Sequence, residues 1–136
     1  MDLDNVAHRA LFVLYVADQA RSCAFYRAVL GVEPTLDVPG MTEFALTGGG
    51  YLGLMPATGI VRLLGDAIPD PTAAAGVPRA ELYLVVDHPA AYHARAIAAG
   101  AGELSPLLAR DWGDVAAYAL DPDGHVLAFA ERSVHA

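Results

Sequence analysis

Ala10-Leu11-Phe12-Val13-Leu14-Tyr15-Val16 is short, rich in branched and aromatic residues, and soon followed by Asp18. That is the pattern of a buried strand. Phe25-Tyr26-Arg27-Ala28-Val29-Leu30-Gly31 closes the segment that follows. Within Asp18–Leu30, Cys23, Tyr26 and Leu30 recur at helical spacing, Phe25 and Val29 widen the stripe, and Gly31 stops the helix. The same order returns later. Glu81-Leu82-Tyr83-Leu84-Val85-Val86 reads as a strand. Pro89–Ala99 reads as a helix with proline in its first turn, Ala91, Ala94 and Ala98 on one apolar face, and Gly100 at its end. Val16 and Val86 close their strands 70 positions apart, and Gly31 and Gly100 close their helices 69 apart. This duplication decides the fold.

The remaining segments complete each half. Met41–Leu46 and Tyr51–Met55 read as strands joined by a Gly48-Gly49-Gly50 turn. Val115–Leu120 and His125–Ala130 read as a hairpin. Its Asp121-Pro122-Asp123-Gly124 connection fits a type I turn, with Pro second and Gly fourth. Module one covers about residues 10–57 and module two about 80–132. The linker at 58–79 holds Pro69, Pro71 and Pro78, with a helical turn expected at Ile60–Leu64. The predicted class is α+β: two tandem βαβββ modules in one domain (1–136), forming a concave mixed sheet with the helices outside. The cleft between repeats is the expected ligand site.

Composition narrows the chemistry. All eight basic residues are Arg, against 16 Asp plus Glu, for a formal charge of −8. The absence of lysine excludes a Schiff-base lysine, a pyridoxal-phosphate anchor and a Walker-type phosphate loop. The acidic balance argues against nucleic acid and leaves neutral or cationic small molecules as the easier partners. Cys23 is the only cysteine and sits on the helix stripe, where it reads as a small buried apolar group. The apolar run Leu11–Ala17 is too short for a membrane span, which needs roughly 20 residues. The acidic start Met1-Asp2-Leu3-Asp4-Asn5 does not suit a signal peptide, so a soluble cytoplasmic protein is expected.

Phe25-Tyr26-Arg27-Ala28-Val29-Leu30-Gly31 resembles the helix-end signature of the vicinal oxygen chelate superfamily, and Asp121-Pro122-Asp123-Gly124-His125 resembles its final hairpin. That superfamily includes glyoxalase I, extradiol dioxygenases, fosfomycin-resistance enzymes and bleomycin-resistance proteins. The resemblance spans about Ala10 to Glu131 and implies a homodimer. It also implies four metal-facing positions, which fall on Leu11, Gly53, Glu81 and Ala128. Only Glu81 can ligate. A lone carboxylate does not hold a divalent metal that needs three protein ligands, so no metal, cofactor or catalytic residue is expected. His8, His88, His93, His125 and His135 are each read as surface residues.

Strand alternation then sorts the faces. Leu11, Val13 and Tyr15 share one face of their strand, and Glu81, Tyr83 and Val85 share one face of theirs. Phe12, Leu14 and Val16 are assigned to the helix side, while Tyr51, Gly53 and Met55 are turned inward. The candidate ligand-binding residues are Glu81, Tyr83, Tyr15, Tyr51 and Trp112, the sole tryptophan. In an apolar cleft Glu81 would have a raised pKa and could anchor a cation. The aromatics would stack on a planar ligand. The first expectation is a non-catalytic binding protein of the bleomycin-resistance type, sequestering a planar or cationic compound. The alternative is a lyase or dioxygenase with a divergent metal site, or a metal-independent isomerase with Glu81 as base.

Overall fold

A computed structural model describes residues 7–132. Strand β1 (Ala10–Val16) leads to helix α1 (Gln19–Leu30). Asp18 caps α1 by accepting from the Arg21 amide, and Gly31 ends it in the left-handed region at φ 71°. Strands β2 (Leu36–Val38), β3 (Met41–Ala45) and β4 (Gly50–Pro56) complete module one. Helix α2 (Ala57–Leu64) follows, longer than the single turn expected at Ile60–Leu64, then short 3-10 turns at Gly65–Ala67 and Pro71–Ala74. Module two is β5 (Glu81–Val85), α3 (Pro89–Ala98), β6 (Gly102–Ala109), β7 (Asp114–Leu120) and β8 (Val126–Arg132).

The duplication is visible in the topology. One sheet has the order β1-β4-β3-β2 and the other β5-β8-β7-β6. In each, the first and last strands of the module pair in parallel and the rest antiparallel. The two sheets stay separate, so β1 and β5 are both edge strands.

One core lies under the helices and runs through both modules. It joins Leu14, Val16, Cys23, Phe25, Tyr26, Val29, Phe44, Leu52 and Leu54 to Ala96, Ala119, Leu127 and Phe129. The α1 stripe is buried as its spacing predicted. Two other face assignments are corrected. Phe12 is 74% exposed, because α1 packs across β4 and β3 and leaves the start of β1 uncovered. On α3 the buried side is Pro89, Tyr92, Ala96 and Ala99, while Ala91, Ala94 and Ala98 face outward. Alanine suits either face. Tyr92 decides the rotation by packing its ring against Phe129, 6.0 Å between centroids.

The Asp121–His125 turn clasps module two to module one. Asp121 Oδ1 accepts the amides of Asp123 (2.8 Å) and His125 (2.9 Å), while Oδ2 accepts the Tyr26 phenol at 2.6 Å. Asp123 accepts the Ala17 amide at 2.8 Å and the Ser22 hydroxyl at 3.3 Å. His125 is corrected from surface to interior: it is 4% exposed, and its Nε2 donates to the Tyr15 carbonyl at 3.1 Å. Alongside, Arg95 of α3 stacks on Tyr92 and donates to the Val29 carbonyl at the end of α1.

Candidate functional site

The core residues mark the helix side of each sheet, and the alternate positions form the opposite, open faces. In module one these are Val13, Gly53 and Glu43, aligned across β1, β4 and β3. In module two they are Tyr83, Ala128 and Tyr118, aligned across β5, β8 and β7.

The open face of module two is built around Tyr83. Its phenol donates to Asp114 Oδ2 at 2.5 Å and accepts the Trp112 indole N–H at 2.9 Å. Trp112 precedes Gly113 in the β6–β7 turn and is 57% exposed, so its ring is fixed at the indole N–H yet more than half open to solvent. Asp114 is buried, with Arg132 Nε at 3.8 Å from its other oxygen. Burial and the Asp114 hydrogen bond raise the Tyr83 phenol pKa above its ordinary value, partly opposed by the Trp112 donor. Tyr118 is raised too, first by burial and then by the negative charge of Glu81, against the nearby Arg110 cation. The Arg110 guanidinium lies 5.1 Å from the Tyr118 ring and donates to Ser105 and the Ala116 carbonyl.

Glu81 is on the expected face but is exposed, not enclosed in an apolar cleft. It forms no salt bridge with Arg79, whose Nε instead donates to the Val77 carbonyl. Tyr83 and Trp112 are brought together. Tyr51 is not with them: it lies in module one with the Arg9 guanidinium 3.9 Å above its ring. Tyr15 is elsewhere again. It lines a pocket of about 510 Å³ at the module junction, with Arg21, Ala57, Arg79 and Asp123. Cys23 is buried, and burial followed by the Asp37 charge pushes its thiol pKa up, away from a reactive thiolate.

The residues at the four metal-facing positions do not fit a divalent ion. Leu11 and Ala128 carry no donor, and Ala128 is buried between Tyr83 and Tyr118 in the strand register. At Gly53 an added Cβ would meet Val13 Cγ2 at 3.1 Å, with Leu11 Cδ1 and Met41 Sδ at 3.3 Å. Apolar side chains therefore fill the space a ligating side chain would enter. Among the described residues, no group of three or more His, Cys, Asp or Glu could hold a metal.

Sequence reasoning missed Glu43, Asp114, Tyr118 and Arg110. Alternation in Met41–Ala45 was a usable signal, since Thr42 and Phe44 on the helix side leave Glu43 on the other.

Tandem βαβββ modules with helices on one side and an open face on the other define a paired-module α+β fold. The chain belongs to the Glyoxalase/Bleomycin resistance protein/Dioxygenase superfamily, whose model matches residues 6–129. Similar solved structures show the same fold. A glyoxalase-related enzyme from Fulvimarina pelagi is 24% identical, with TM-score 0.76 over 93% of this chain and 89% of that one. A glyoxalase/bleomycin resistance protein/dioxygenase from Nocardioides is 19% identical, with TM-score 0.74 over 97% and 87%. TioX from Micromonospora sp. ML1 is 21% identical, with TM-score 0.66 over 93% and 99%. No curated protein matches the chain. No helix among the described residues is long and apolar enough to cross a membrane.

Proposed function

We propose that this chain is a non-catalytic binding protein that sequesters a planar or cationic small molecule against its open faces. One observation carries the reading: Trp112 is more than half exposed, yet its indole is held in place by the Tyr83 hydroxyl. An exposed aromatic ring with its orientation already fixed loses little freedom on stacking against a ligand. The net charge of −8 and the exposed Glu81 carboxylate, two residues before Tyr83 on β5, favour a cationic partner. The unsuitable residues at the metal-facing positions weigh against the metal-dependent alternative.

The same proposal includes a homodimer acting in the cytoplasm. It is supported by two edge strands with uncovered apolar side chains, Phe12 on β1 and Val85 on β5. Sedimentation velocity should give a dimer mass at micromolar concentration, and a monomer throughout would remove that part.

The binding test uses the sole tryptophan. Titration with a panel of cationic aromatic compounds should quench Trp112 emission saturably. No response from any member of the panel would overturn the proposal.

A further inference from the structure

Module one holds a cation of its own on its open face. Glu43 is 9% exposed, and one of its oxygens pairs with the Arg9 guanidinium. The same guanidinium lies over Tyr51, with its central carbon 3.9 Å from the ring centroid. A carboxylate and an aromatic face together recognise a guanidinium or alkylammonium group. Tyr51 and Gly53 share one face of β4, and Gly53 pairs with Glu43 of β3, so the ring and the carboxylate stand on the same face of neighbouring strands.

Arg9 is poorly tethered. It lies just before β1, outside the strand itself. Its side chain is 46% exposed, and an ion pair open to water is weak. Glu43, by contrast, is fixed within β3 between β2 and β4. The anion and the ring are part of the scaffold, and the cation is the movable component.

We infer that Glu43 and Tyr51 form a binding site for the guanidinium or alkylammonium group of a ligand, and that Arg9 is its internal occupant, displaced when the ligand enters. The inference rests on the proposed cationic ligand and adds where the cation is held and what competes with it. The Glu43 hydrogen bond raises the arginine pKa, so the occupant stays charged.

Phenylguanidinium is the probe, with neutral phenylurea as its control. Calorimetry should show R9A binding phenylguanidinium about tenfold more tightly than the unsubstituted chain, with no such gain for phenylurea. In the unsubstituted chain the probe should shift the Arg9 Nε–Hε resonance. Adding E43Q to R9A should abolish the gain, and Y51L in the same background should reduce it if E43Q does not fold. A merely structural ion pair would lower the melting temperature of R9A without creating affinity. Equal affinity in R9A and the unsubstituted chain, or no binding to R9A, overturns the inference. Trp112 emission is read separately: if its response persists while R9A gains nothing, only this inference falls. A silent Trp112 with a gain in R9A removes the module-two reading instead.

Discussion

The Tyr26 phenol donates a 2.6 Å hydrogen bond to Asp121 Oδ2, tying α1 of module one to the last turn of module two. Tyr26 is fully buried and Asp121 nearly so. Y26F leaves the carboxylate its two backbone donors but removes the third, at a cost of about 2 kcal/mol. Urea denaturation of Y26F against the unsubstituted protein measures it, with the slope expected to be unchanged.

The same contact makes stability depend on alkaline pH. Burial, then the Asp121 charge, raises the Tyr26 pKa well above its ordinary value. In the unfolded chain the phenol loses its proton near pH 10, while the folded chain retains it. The unfolded state then binds fewer protons, so stability falls as pH rises past about 10, by up to about 1.4 kcal/mol per pH unit. Y26F lacks this contribution, so its deficit should shrink between pH 9 and pH 11 in parallel urea titrations.

Gly124 fixes the linker against the clasp. A Cβ there would lie 2.4 Å from the Gly76 carbonyl oxygen, and its φ is +88°. Backbone meets backbone, so neither side can rotate away. G124A should cost about 2–4 kcal/mol. Tryptic cleavage after Arg79, in the segment the turn holds down, should accelerate.

Gly53 meets side chains rather than backbone. G53A should cost about 1–2 kcal/mol through crowding of Val13, Leu11 and Met41. V13A should relieve part of it. The double variant is then expected to be more stable than the sum of the single changes implies.

The modules were legible because their signals are local. The α1 stripe ends at a glycine that takes φ 71°, and Asp121-Pro122-Asp123-Gly124 forms the turn its residues suggest. Strand β6 was missed for a physical reason. Gly-Glu-Leu-Ser-Pro-Leu-Leu-Ala is mostly exposed, carries Pro106 and pairs with register shifts, so no alternation is imposed on it. The candidate site was only half legible. Alternation puts Tyr83 and Glu81 on the correct face, but no pattern within either strand says that Tyr83 reaches Trp112 and Asp114. Arg9 over Tyr51 and Glu43 depends on a residue outside any strand, beyond the reach of a periodicity argument.

The clasp also breaks the equivalence of the two repeats. The β7–β8 turn supplies acceptors to Tyr26, Ser22 and the Ala17 amide, whereas the corresponding β3–β4 turn is Thr47-Gly48-Gly49, with no carboxylate to return the favour. The carboxylate acceptors of the clasp therefore all come from module two. A fragment ending after β4 lacks the groups that finish its own helix and first strand, and should stay unfolded until its other half is added. Two repeats alike in topology are thus unlike in role, with the second serving as part of the scaffold on which the first completes itself.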